Sequence, residues 1–369
     1  MMRKIWNWQS DEWPNFTYDE TKLKALELQF SKNIGTVLGA IKHVNTEEKE
    51  QFLIEVLSNE ALKTSEIEGE YLDRDSIQSS IKKNLGLSVE KRNIKPAEFG
   101  VSEMMVDLYQ NFNEPLTHQK MYDWHKMLTN GRRDLIDVGR YRTHADPMQV
   151  VSGRLDKHIV HFEAPPSSEM KQEMDGFVNW FNTSHYESGN EILPLAKAGI
   201  AHLYFVSIHP FEDGNGRIAR ALAEKSISLS IGEAALISLS KTIEASKNTY
   251  YDALADNNKT CEITDWLVYF GQTILDAQEE TLKLIDFIID KAKFFDRFSI
   301  SMNERQLKVV KRLFDAGPQG FIGGLSSENY TRIAKTSAST ATRDLKDMLD
   351  KSILKKTGTL KSTRYWLNI

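Results

Sequence analysis

The sequence predicts a mainly helical protein with a short β-hairpin near its middle and a smaller helical module, closed by two strands, at its C-terminal end. Three observations predict this. Apolar residues recur at mixed spacings of three and four, as in Phe52, Leu53, Val56, Leu57, Ala61 and Leu62. Two short β-branched runs flank a Gly-Arg-Leu-Asp turn at 149–162. The charge balance then reverses: residues 301–369 carry about 13 basic side chains against 6 acidic, roughly +7, leaving about −12 on the remainder.

The elements follow in order. A tryptophan-rich start (Trp6, Trp8, Trp13) precedes helices from about 18 to 85, with Leu23, Leu26, Leu28 and Phe30 among the apolar positions. Aromatic residues there are expected to pack onto the body of the protein. Two amphipathic stretches occupy 97–135, with His125 read as a packed helix residue, and Gly139-Arg140-Tyr141-Arg142 opens a different texture. After the hairpin, helices are expected at 168–184 and 194–208. The second is apolar enough (Leu195, Ala198, Ile200, Ala201, Leu203, Phe205, Val206, Ile208) to lie centrally in the core. A helix over Arg217–Leu229 and a long one over 262–297 come next. The C-terminal module reads helix (Asn303–Phe314), a break at Gly317, Gly320, Gly323 and Gly324, then helices Ser326–Ala334 and Ser339–Leu349. Strands near Ile353–Gly358 and Tyr365–Leu367 complete it. Three parts are expected: 1–98, 99–298 and 299–369.

At 369 residues the chain is long enough for two or three cores, and 40% hydrophobic with 27% charged residues is ordinary for a globular protein. A formal charge of −5 creates no global field that argues for nucleic acid or membrane. The single cysteine, Cys261, excludes an internal disulfide and a cysteine metal cluster. No apolar core follows Arg3 and Lys4, and no window approaches eighteen apolar residues, so neither secretion nor membrane insertion is expected and a cytoplasmic location fits.

The chemistry concentrates in His209-Pro210-Phe211-Glu212-Asp213-Gly214-Asn215-Gly216-Arg217-Ile218-Ala219-Arg220. Gly214 and Gly216 permit a tight turn that exposes backbone N–H groups at a helix N-terminus, a natural anion nest. Arg217 and Arg220, three apart, share a helix face and reach the same polyphosphate. Asp213 is suited to magnesium, which takes one or two carboxylates and completes its shell with water and phosphate oxygens. His209 is suited to act as general base toward an alcohol, provided it is neutral at working pH. A Walker-type loop is excluded by the absence of GxxxxGK[ST]. A calcium loop starting at Asp213 is excluded because Arg217 and Ile218 stand where a ligand and a glycine are needed.

This string resembles, without a mismatch, the HPFx[D/E]GNGRxxR signature of the Fic family. The resemblance implies a Fic-type helical core and transfer of AMP from ATP to a Ser, Thr or Tyr hydroxyl of a target protein, with related proteins using other donors or removing AMP. It implies that His209 takes the hydroxyl proton and that Asp213 binds Mg2+ bridging the α and β phosphates. Gly214, Asn215 and Gly216 would form the anion hole, Asn215 on the α-phosphate, with Arg217 on the β-phosphate and Arg220 on the γ-phosphate. By position, Tyr251, Leu254 and Asn258 would line the adenine pocket, Asn258 bonding the base. The hairpin at 149–162 would be the flap that holds the target segment by strand addition.

Upstream, Thr64 and Glu68 lie four apart on one helical face, with Gly69 as a natural stop. Thr64-Ser65-Glu66-Ile67-Glu68-Gly69 resembles the [S/T]xxxE[G/N] inhibitory motif of the same family. That likeness implies that Glu68 pairs with Arg220 and misorients ATP, gating both target modification and self-modification. The C-terminal module resembles a winged helix-turn-helix. As a DNA reader it would offer Ser337, Ser339, Thr340, Thr342 and Arg343 to the major groove and Lys355, Lys356, Lys361 and Arg364 to phosphates. Winged helices also dock proteins or dimerise, so a protein partner through 299–369 and a homodimer fit equally. The leading expectation is thus an autoinhibited protein adenylyltransferase, and the alternative is a nucleotide-sensing transcriptional regulator acting through the C-terminal module.

Overall fold

The structure is a computed structural model that describes residues 6–88, 94–154, 157–184, 192–318 and 320–369. The turn residues 155 and 156, and the side chains of His158 and Lys361, lie outside the described set. The chain divides into two units, one holding residues up to Gly39 with Leu53–Thr281 and the other Ala40–Phe52 with Leu282–Ile369.

The first unit is built around α7 (Pro194–Ile208), whose residues are almost all buried because the helix is apolar on every face. Pro194 starts it at a position where the missing N–H costs nothing. The buried Glu27 of α1 (Glu20–His43) accepts the N–H groups of Leu195 and Ala196, and burial pushes its pKa up to about 7. Around α7 lie most of α1, much of α2 (Thr46–Ile67), α3 (Arg74–Asn84), α4 (Pro96–Gln110) and α5 (His118–Leu128). The hairpin pairs β1 (Gln149–Arg154) with β2 (Lys157–Glu163) antiparallel, with an irregularity between Val150 and Val151. Then come α6 (Met170–Thr183), α8 (Asn215–Ile231), α9 (Leu239–Ala245), α10 (Lys247–Asn257) and the first half of α11 (Thr264–Phe298).

Several boundaries shift from the sequence expectation for local reasons. The segment before α6 is a 3-10 turn over Ser167–Glu169, since Pro165 and Pro166 delay regular helix. The helix after the motif begins at Asn215 rather than Arg217, because Gly214 turns the chain with φ at 82° and releases helical geometry at once. The tryptophan segment is seated on this unit: Trp6 packs edge-on against Phe162 at 5.3 Å between centroids, Trp13 against Tyr204 at 5.1 Å, and Asn7 Nδ2 donates to Ser207 Oγ at 2.8 Å.

The second unit contains α12 (Glu304–Phe314), α13 (Ser327–Ala334), α14 (Ala338–Asp350), β3 (Leu354–Thr357) and β4 (Arg364–Leu367). Asn303 caps α12 reciprocally with Gln306, Ser326 caps α13, and Ser337 caps α14. β3 and β4 pair antiparallel, and Leu325 bridges to Tyr365. Val309, Val310, Leu313, Tyr330, Leu345 and Met348 form its core.

His202 of α7 is fully buried, its Nε2 within 3.0 Å of the Tyr250 hydroxyl, and burial holds its pKa well below the ordinary value. The unfolded chain therefore binds a proton below about pH 6.5 that the folded chain refuses, so His202 leaves stability intact above that pH and erodes it below. Lowering the pH from 7.5 to 5 should move wild type by about 2 kcal/mol relative to His202→Gln in urea titrations. A gap between the two proteins that does not change with pH would refute this.

Candidate functional site

His209 caps the C-terminus of α7 in the left-handed conformation (φ 51°), its N–H donating to Phe205 O at 3.0 Å. Nδ1 lies 3.2 Å from the Val206 carbonyl. A carbonyl only accepts, so Nδ1 carries the proton and Nε2 keeps its lone pair. Burial first, with the Arg142 charge adding, pushes the pKa down to about 4, so the ring is neutral at ordinary pH. Beneath the loop that follows, His125 stacks on Phe211 at 4.2 Å and accepts the Gly139 N–H, which confirms it as a packed residue.

The turn Asp213-Gly214-Asn215-Gly216 then delivers the chain into α8. Asn215 spends both polar ends of its side chain on Phe211: Oδ1 accepts the Phe211 N–H at 3.0 Å and Nδ2 donates to its carbonyl at 2.8 Å. In this state Asn215 therefore shapes the loop rather than presenting its amide outward. Asp213 is held from three sides. Its Oδ1 accepts the Gly214 N–H at 2.6 Å and Arg217 Nη2 at 3.3 Å, and its Oδ2 accepts Arg132 Nη1 at 2.5 Å. Burial would raise its pKa, but Arg217, the Gly214 N–H and Arg132 outweigh that and hold it below the usual carboxylate value.

Both arginines of the motif are buried and both meet the end of α2. Arg220 donates from Nε to Thr64 Oγ1 at 2.8 Å, and from Nη2 to Thr64 O at 2.9 Å and Glu68 Oε1 at 2.8 Å. Arg217 Nη1 donates to Glu70 Oε2 at 2.9 Å. The Glu68 carboxylate lies so close over Gly216 that a Cβ there would collide with it. Thr64 and Glu60, four apart on α2, thus face Arg220 and Glu224, four apart on α8. Glu60 and Glu224 are hydrogen-bonded to each other, and burial pushes both pKa values up, Glu224 most, so the pair shares a proton under Arg220.

The site fits an anion. Arg217 Nε and Arg220 Nη1 are buried donors without a partner, beside a helix N-terminus that no side chain caps. A cation at Asp213 would have to displace Arg132 and Arg217 from its oxygens, and among the described residues no group of three or more His, Cys, Asp or Glu could hold a metal by itself. The residues assigned to an adenine pocket stand differently. Tyr251 donates its hydroxyl to Ile67 O at 3.2 Å, and Leu254 packs at the margin of the apolar core. Asn258 donates Nδ2 to His161 O at 3.2 Å, on β2, leaving Oδ1 as a buried acceptor without a partner.

Three participants escaped the sequence reading: Arg132, Glu70 and Arg142. Only Glu70 had a local signal, a second carboxylate two residues beyond Glu68.

The loop, its two buried arginines and the neutral His209 lie together on a helical scaffold, and comparison with known proteins shows what they resemble. Residues 115–226 match the Fic/DOC family, and residues 6–87 match a domain of unknown function, DUF4172. Among curated relatives, Protein adenylyltransferase fic-1 of Caenorhabditis elegans is 39% identical over 93 residues, 25% of this chain and 15% of the relative. Protein adenylyltransferase Fic of Nematostella vectensis is 36% identical over 92 residues, 24% of this chain. The chain spans 15% and 21% of the length of these two relatives. Among solved structures, a Fic family protein from Desulfovibrio desulfuricans covers 93% of this chain and 95% of its own, at 20% identity and a TM-score of 0.50. Residues 134–508 of Fic-1 from C. elegans cover 74% of this chain and 75% of their own, also at 20% identity and a TM-score of 0.50. These structural likenesses establish a shared fold.

Proposed function

We propose that this chain is a protein adenylyltransferase, transferring AMP from ATP to a Ser, Thr or Tyr hydroxyl of a target protein, and that Glu68 restrains it. The observation that carries the reading is the neutral His209, with Nε2 free, beside a loop and two arginines whose unpartnered donors suit a triphosphate. In the reaction the target oxygen attacks the α-phosphorus and its proton passes to His209 Nε2. The bond from the α-phosphorus to the bridging oxygen breaks, and pyrophosphate leaves. Magnesium bound by Asp213 would neutralise charge on the phosphates. Catalysis is then mostly positioning and charge stabilisation. A base whose pKa is about 4 before substrate binds becomes stronger when phosphate charge arrives beside it.

The β1–β2 hairpin supports target docking by strand addition. It is a two-stranded sheet whose β1 is an edge strand, and Val150, Val151 and Ile159 on it are exposed. Restraint follows from Arg220 being tied to Thr64 and Glu68, which denies its guanidinium to the γ-phosphate. Glu70 adds a second restraint on Arg217. Glu70→Gln should therefore tighten ATP binding by about twofold to fivefold, the worth of a partly exposed ion pair. Calorimetric titration with Mg-ATP checks this, and unchanged or weaker binding would count against it. To identify the donor, purified wild type and Glu68→Gly are incubated with each nucleoside triphosphate and weighed by mass spectrometry. A gain of one AMP with ATP supports the reading, and a gain only with another nucleotide would replace the donor.

A second reading, a regulator acting through a winged helix, is favoured by one observation: Ser339, Thr342, Arg343 and Lys346 of α14 and Lys355 and Lys356 of β3 are all exposed. Duplex DNA should retain the full chain at low salt, with affinity falling steeply as salt rises and after Lys355→Gln with Lys356→Gln. No retention at low salt would exclude this reading.

A further inference from the structure

We propose that Arg142 is a positioning residue that ties the root of the β1–β2 hairpin to the carbonyl of His209, so that a docked target and the base keep a fixed separation. The proposal rests on the adenylyltransferase reading above. Arg142 is 1% exposed and lies outside the phosphate-gripping loop. Its Nε donates to His209 O at 2.9 Å, Nη2 to Pro165 O at 2.5 Å, and Nη1 to Ser167 Oγ at 2.7 Å. Its own N–H donates to Pro210 O at 2.9 Å. One rigid plane therefore touches His209 on one side and, on the other, the segment two to four residues beyond the end of β2.

The demand for such a tie comes from the two ends it joins. His209 holds a left-handed backbone without being glycine, a conformation that persists only where surrounding bonds enforce it. Among the described residues no third strand pairs with the hairpin, so its angle depends on side-chain contacts such as Trp6 against Phe162 and Asn258 on His161 O, and on where its root is fastened. The loop bearing Arg142 is itself fastened to the motif. Glu212 Oε2 accepts the N–H groups of Ile136 and Asp137 at 2.8 and 3.1 Å, and Asp137 Oδ2 accepts the Thr143 N–H at 2.6 Å. Burial lowers the Arg142 pKa only to about 10, so the guanidinium stays charged, satisfied by oxygens that can only accept or readily do so. Lysine would keep the charge and lose the fork that spans both ends.

The test compares Arg142→Lys and Ser167→Ala, each in a Glu68→Gly background, with the Glu68→Gly parent. Transfer of labelled AMP, the Kd for Mg-ATP, and hydrogen exchange of residues 159–165 and 213–220 are measured on each. For Arg142→Lys the expected result is a loss of transfer of about tenfold or more, the scale on which small misplacement acts. ATP affinity should stay within about twofold. Exchange should quicken at 159–165 and stay unchanged at 213–220. Ser167→Ala, which removes one contact at the hairpin root, should show the same pattern more weakly. A fall in ATP affinity parallel to transfer in both variants, or hairpin exchange that does not change, would overturn the proposal. If the parent itself transfers no AMP, the adenylyltransferase reading fails, while the exchange pattern still decides whether Arg142 holds the hairpin.

Discussion

Glu68→Gly should raise the rate of AMP transfer from ATP, self-modification included, on the order of tenfold to a hundredfold, the range of one charge-assisted hydrogen bond to a buried arginine. Arg220 is 1% exposed in its side chain and has three bonds to the end of α2, two to Thr64 and one to Glu68. Only the last of these places negative charge where a γ-phosphate would lie. The same carboxylate fills the space where a Cβ on Gly216 would stand, so its removal opens the room over the turn as well as freeing the guanidinium. Arg220 does not become an uncompensated buried charge in the variant, because the Glu60–Glu224 pair beneath it already supplies favourable potential. The fold should therefore survive. Initial rates with α-labelled ATP measure the effect, and a variant no faster than wild type would show that Glu68 is not a gate.

His209→Ala in the Glu68→Gly background should cut transfer by about a hundredfold or more while leaving ATP affinity within about twofold. Nε2 is the only free lone pair of the ring, because Nδ1 is committed to Val206 O. Neither buried histidine nearby can substitute: His125 is pinned between Phe211 and the Gly139 N–H, and His202 is buried against Tyr250. In the proposed reaction phosphate binding would fall instead to Arg217, Arg220 and the α8 N-terminus, which this substitution leaves in place. Loss of ATP affinity in step with transfer would mean that His209 holds the loop rather than the proton.

The parts of this arrangement that could be read from the sequence are those set by spacing along one element. Gly214 and Gly216 flank a turn, Arg217 and Arg220 share a face of α8, and Thr64 lies one turn from Glu68, each a local relation. The all-apolar α7 announced itself as central for the same reason. What could not be read depends on segments far apart in the chain. Arg132 reaches Asp213, and Arg142 reaches both His209 and Pro165, only because helices and loops pack as they do. Asn215 shows the converse: its type and place were evident, yet the side chain folds back onto Phe211, which no spacing rule distinguishes from facing a phosphate. The N-terminal tryptophans were legible as packing residues, but not the seat of Trp6 on Phe162 at the end of the hairpin.

The most direct test is to incubate Glu68→Gly in parallel with ATP labelled at the α-phosphate and ATP labelled at the γ-phosphate, then count label bound covalently to protein. Stable incorporation from the α-label, with pyrophosphate released in equal amount and none from the γ-label, is the expected result. Incorporation from the γ-label, or from neither, would contradict it.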